Sequence, residues 1–213
     1  MGADRQGRRA ARGSGPLSAT RRGAARIALR RVERYDEPAF TEFVDAIFDD
    51  SARRQHLRTQ LGADVAQAHD ALRQSLPAPE RIRIGAYDGE RLVGYSQGWF
   101  EVGGRFYVAS SAVDADYRRL GLYTRLLQAV EQAARERGAV AISSQHVATN
   151  TAVLIAKLKL GYVIAGTEFV EAMGLLVRLV KHLEPSGAAL YAERTGMLKP
   201  PAKSAPTPRT RRR

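Results

Sequence analysis

Apolar residues along this chain recur with two periods, and the switches between them outline its elements. Residues 27–32 alternate as a strand, and Phe40, Phe43, Val44 and Ile47 within 37–47 then fall at helical spacing. A second helical stretch over 52–75 aligns Leu57, Leu61, Val65, Ala68 and Leu72 on one face and breaks at Pro77. Residues 82–87 and 91–100 read as strands joined by Asp88-Gly89, a dipeptide suited to the positive φ of a tight hairpin. Gly103-Gly104 turns the chain into a further strand over 106–113. Leu122, Leu126, Leu127, Val130 and Ala134 mark a helix that Gly138 ends. A strand over 140–147, a helix opened by Asn150 and ended by Gly161, and strands over 162–170 and 175–183 complete the run. The order βααβββαβαββ predicts an α/β domain with a single mixed, mostly antiparallel sheet and helices on both faces.

Composition changes that picture only at the ends. The 213 residues suffice for one well-buried domain, and no apolar run approaches the roughly 20 residues of a membrane span. No membrane association is expected. The net charge of +12 is concentrated in two tails: residues 1–23 carry +5 and residues 199–213 carry +6, which leaves about +1 between them. Both tails are rich in Arg, Pro, Gly, Ser and Ala without hydrophobic period, so they are expected to be disordered around a domain at 24–198. They offer nonspecific contact with nucleic acid, but lack interleaved aromatic residues on which bases would stack. With no cysteine, disulfides, thiolate metal sites and cysteine nucleophiles are excluded, which fits a reducing, cytoplasmic location. The four histidines are scattered, so no metal site is expected.

The stretch 113–124 joins a strand end to the start of an amphipathic helix, and its chemistry suits an anion. The first amide hydrogens of a helix have no intrahelical partner, and the helix dipole adds positive potential there. Gly121 admits a phosphate close to the backbone, and Arg118 and Arg119 add charge beside it. A solvated basic turn would carry the same residues, so the segment alone leaves both readings open.

In this order of elements, Arg118-x-x-Gly121-x-Tyr123 resembles the pyrophosphate motif of the GNAT superfamily of acyltransferases, written Arg or Gln, x, x, Gly, x, Gly or Ala. Tyr123 departs at the last position. Asn150, then Lys157 and Gly161-Tyr162, is similar to the family's second signature of Asn, six residues, Tyr, three residues, Gly-Phe. The resemblance covers residues 27–183 and implies the GNAT fold, with acetyl-CoA as acyl donor and a small-molecule or peptide amine as acceptor. By the same resemblance Val113 pairs with the pantetheine arm, Arg118, Arg119, Gly121, Leu122, Tyr123 and Thr124 wrap the pyrophosphate, and Asn150 hydrogen-bonds the cofactor. Asn150 also suits a helix amino cap.

Acyl transfer needs a neutral amine, a polarised thioester carbonyl and a proton for the leaving thiolate. The family's Tyr is replaced by Lys157, which serves either as proton donor or as an ordinary solvated lysine; Tyr123 is the other candidate donor. For the base, Glu101 and Asp114 stand at strand ends, and His146 closes Ser143-Ser144-Gln145-His146, a run unusually polar for a central strand. His146 ranks first among them. Three functions remain compatible: an N-acyltransferase, a catalytically silent acyl-CoA sensor suggested by the missing Tyr, and a nucleic-acid-associated protein. Acceptor and oligomeric state are not readable.

Overall fold

The computed structural model describes residues 26–170 and 173–196. Both basic tails, 1–23 and 199–213, with the nucleic-acid contact expected of them, lie outside the described residues. Strand β1 (Ala28–Arg31) leads into helices α1 (Ala39–Phe48), α2 (Asp50–Leu61) and α3 (Ala63–Ser75). A meander follows: β2 (Arg81–Asp88), β3 (Arg91–Phe100) and β4 (Phe106–Val113). Then come α4 (Leu122–Glu136), β5 (Ala141–Val147), α5 (Thr151–Lys159), β6 (Val163–Val170), β7 (Gly174–His182) and α6 (Pro185–Arg194). The strands form one open sheet in the order β1-β2-β3-β4-β5-β7-β6, antiparallel except between β4 and β5.

The helical pattern over 52–75 resolves into two helices, because Gly62 adopts φ 79° and ψ 160°, outside the helical region. An ion pair from Arg58 to Asp70 ties them together. Leu57, Leu61, Val65 and Leu72 keep their helical spacing yet stay between 40% and 57% exposed, so their stripe marks helix without marking core. Helix α6 adds an element that the pattern does not define after residue 183. Pro185 sits in its first turn, where a missing N–H costs nothing.

Helix α4 anchors one face of the sheet. Leu122, Leu126, Leu127, Val130 and Ala134 are at most 2% exposed and pack on Ile82, Val93, Phe106, Val108 and Ile142. Burial of each large apolar side chain is worth about 1.5–3 kcal/mol. Helix α1 covers part of the other face, where Phe40 and Phe43 meet the edge of Tyr95.

The feature that positions the site is the junction of β4 and β5. These parallel strands pair only at Phe106 with Ile142 and at Tyr107 with Ser143, so beyond those residues a wedge opens toward Val113 and Val147. A bulge on β4 accompanies the parting: Gln97 opposes Ser110 and Gly98 opposes Val108, which leaves Ala109 unpaired. Only glycine fits at 98, since a Cβ there would stand 2.0 Å from the Tyr107 carbonyl oxygen.

Candidate active site

The mouth of the wedge is the turn from β4 into α4. The Asp114 amide donates to the Val93 carbonyl, so strand alternation turns the amide and carbonyl of Val113 the other way, toward the wedge. Arg118 folds back and donates through Nε to the Val113 carbonyl at 3.1 Å. Gly121 caps α4 in the left-handed region at φ 75°, and no side chain caps the helix. The first intrahelical bond runs from the Arg125 amide to the Gly121 carbonyl, which leaves the amides of Leu122, Tyr123 and Thr124 as the helix's orphan donors. A Cβ built at Gly121 meets nothing within 4 Å, so the space before these amides is open. Arg118 and Arg119 stand exposed beside it. The turn therefore fits a pyrophosphate.

Tyr123 does not obstruct this opening. Its ring packs against the main core, and burial holds its phenol well above the ordinary range, so it stays protonated. Asn150 caps α5, its Oδ1 accepting from the Val153 amide at 3.3 Å. The carboxamide nitrogen remains available to a ligand.

Beneath the wedge, on the α4 face, lies a buried polar cluster. Lys157 is fully buried, and its Nζ donates to Ser144 Oγ at 2.9 Å. Ser144 Oγ also lies 3.1 Å from His146 Nε2. Ser144 Oγ has a lone pair for each neighbour and one hydrogen to give, so its contact with Nε2 runs in either direction according to the imidazole tautomer. Burial pulls the Lys157 ammonium down to about 7; Glu131 opposes that shift and Lys181 adds to it. Burial, and then the charge of Lys157, bring His146 down to about 4. Glu131, itself buried, is paired with Lys181 at 2.5 Å, and both ammonium groups approach the Tyr162 ring, Lys157 at 4.4 Å and Lys181 at 5.8 Å from its centroid.

Of the sequence-derived candidates, the fold thus brings Val113, the turn 118–124 and Asn150 to one end of the wedge, with Lys157 and His146 joined through Ser144. Ser144, Glu131 and Lys181 went unselected; only the polar run 143–146 hinted at the first. Glu101 stands apart from that end of the wedge. It follows β3 next to the start of β4, at the opposite end of that strand from Val113, about 20 Å away at the rise of a strand. Asp114 is occupied structurally, pairing with Arg91 at 2.7 Å and accepting from the Asp116 amide.

The opposite face of the junction, the α1 face, is polar as well. Tyr107 donates to Gln145 Oε1 at 3.3 Å, and Gln145 Nε2 donates to Glu168 at 2.5 Å. An open cavity of about 600 Å³ lies below this chain, between the β3–β4 loop and β7.

Comparison with known proteins matches one family model, that of the acetyltransferase (GNAT) family, over residues 42–162, more than half of the chain. No curated protein matches. Similar solved structures include aminoglycoside 6'-acetyltransferase type Ii, at TM-score 0.55 and 19% identity over 74% of this chain and 98% of that one. The IAA acetyltransferase from Bacillus cereus ATCC 14579 aligns at TM-score 0.54 and 14% identity over 73% and 99% of the two chains. The ribosomal-protein-S18-alanine N-acetyltransferase from Escherichia coli aligns at TM-score 0.53 and 15% identity over 74% and 94%. At these identities the likeness is one of fold.

Proposed function

The chain belongs to the acetyltransferase (GNAT) family, and on that premise we propose that residues 24–198 form a domain that moves an acetyl group from acetyl-CoA to an amine within a ternary complex. The observation that carries this reading is the wedge between β4 and β5, with the uncapped start of α4 at its mouth. Acetyl-CoA supplies the acyl group as an activated thioester. The amides of Leu122, Tyr123 and Thr124, with Gly121 leaving them accessible and Arg118 and Arg119 adding charge, hold the pyrophosphate. Val113 offers its backbone to the pantetheine arm, and Asn150 its carboxamide nitrogen.

In the transfer, a carbon–nitrogen bond forms as the carbon–sulfur bond breaks, the amine gives up a proton and the thiolate gains one. Lys157 takes the role of acid. With its ammonium brought to about 7 it carries a proton in about half of the molecules at neutral pH and parts with it more readily than an exposed lysine does. His146, neutral at that pH, receives the proton of the amine on Nδ1, in the tautomer whose Nε2–H donates to Ser144. Tyr123 is too firmly protonated and too engaged in packing to share either task. A cytoplasmic setting agrees with the absence of cysteine, and no described helix is long and apolar enough to cross a membrane.

A thermal-shift titration with acetyl-CoA, followed by measurement of coenzyme A release with a panel of amines, tests the proposal. Stabilisation growing with the logarithm of acetyl-CoA concentration is expected, then amine-dependent release. No shift at millimolar acetyl-CoA would sink the reading, and a shift without release on any amine would favour the sensor.

A further inference from the structure

The α1 face of the β4–β5 junction carries charge that the described residues leave unanswered. Arg105 and Arg178 line the cavity of about 600 Å³ together with Glu101 and His182. Neither guanidinium has an ion pair or side-chain hydrogen bond among the described residues, although both are only partly exposed. His182 Nε2 is buried there, also without a hydrogen-bond partner among the described residues. Glu101 lines the same cavity without pairing to either, so both guanidinium groups keep donors free for an anionic ligand. Two such groups beside one cavity mark a seat for a carboxylate or a phosphate.

The position of the seat connects it to the reaction. Arg178 is in register with Gln145, two residues beyond Ser143, where β4 and β5 part. Gln145 in turn holds Glu168, and Tyr107 closes the chain from β4. The phenol of Tyr107 is pushed up by burial and then by Glu101 and Glu168, while Arg178 pulls the other way, so both signs of charge converge at this point. A carboxylate at the apex and two guanidinium groups below it complement a molecule with an ammonium at one end and an anion at the other.

Resting on the acetyl-transfer reading above, we propose that the acceptor is a small amine bearing its own acidic group, its amine near Glu168 at the apex of the wedge and its anion on Arg178 and Arg105. A polycationic acceptor lacks the group those two side chains call for. A peptide amine without a nearby acid does too.

Steady-state kinetics on the full chain with acetyl-CoA tests this with matched acceptors: amino acids against their carboxamides, phosphoethanolamine against ethanolamine, and putrescine. The acidic member of at least one pair should exceed its neutral counterpart in kcat/KM by about tenfold or more, as one hydrogen bond to a charged group implies. Which pair responds tells carboxylate from phosphate. Arg178→Met should raise KM for that acceptor about tenfold or more while kcat and the Kd for acetyl-CoA stay within about twofold. Equal use of neutral counterparts, preference for putrescine, or an Arg178→Met loss shared by all acceptors would overturn the inference and leave acetyl transfer standing. Failure of the wild-type chain to bind acetyl-CoA would overturn the reading beneath it.

Discussion

Lys157 shows how one side chain can serve chemistry at the expense of stability. An ammonium with no exposed surface is held by Ser144 Oγ and the Tyr162 face, and its nearest carboxylate, Glu131, is already paired with Lys181. Its proton is bound more weakly in the folded chain, near 7, than in the unfolded chain, near 10.5. Between those two values the unfolded state holds more protons, so this residue makes stability rise with pH across the window. Its full cost, on the order of 5 kcal/mol, applies below the folded value. Lys157→Met, which removes the charge at similar volume, should therefore raise urea stability at pH 6 by about 1–4 kcal/mol, with a gain that shrinks by pH 9. The same variant should lose about 100-fold or more in kcat, since an acid in the transition state is worth that much. A variant that is less stable at pH 6, or one that keeps its kcat, would show that the lysine is structural. His146, neutral in the folded chain down to about 4 but protonated below about 6.5 once unfolded, likewise makes stability rise with pH between those two values.

At the scale of elements, the turn into α4 and the bulge on β4 are two glycine-dependent devices with separable roles. Gly121 lies at φ 75° with open space before it, so Gly121→Val brings both backbone strain and a side chain into the anion seat. Acetyl-CoA affinity by calorimetry should fall about tenfold or more, whereas an unchanged affinity in a folded variant would remove the turn from the cofactor site. Gly98→Ala meets backbone instead of solvent, 2.0 Å from the Tyr107 carbonyl, and should cost about 1–3 kcal/mol of stability at the junction where the wedge begins. The seven strands, the helix over 122–136 and the glycine turn that starts it were legible in the sequence because local periodicity and glycine chemistry dictate them. The break at Gly62 was not, since Leu57, Leu61, Val65 and Leu72 keep one helical stripe across it. The partners of Ser144 and Glu131 were not legible for a different reason. Their roles come from pairing β5 with β7 and laying α4 and α5 across them, contacts between residues 13 and 50 positions apart. Glu101 lies at the opposite end of β4 from Val113, a separation that depends on how β3 and β4 pair.

For the whole molecule, the proposed assignments put the two ligands on two faces of the wedge. The start of α4 and the Lys157 cluster occupy one face, while Tyr107, Gln145, Glu168 and Arg178 occupy the other, and on the proposed reading the gap between β4 and β5 is where the reacting atoms meet. Such an arrangement lets both substrates be bound at once, and the chain has no cysteine on which a thioester intermediate could rest. Direct transfer then requires both substrates to be present before either product leaves. Initial rates measured at several fixed amine concentrations should accordingly give intersecting double-reciprocal lines against acetyl-CoA. Coenzyme A should compete with acetyl-CoA for the turn at Gly121 and not with the amine. Parallel lines, or acetyl groups retained by the protein after acetyl-CoA is removed, would instead require the acyl group to pass through a residue of the chain, and the two-faced arrangement would no longer describe the reaction.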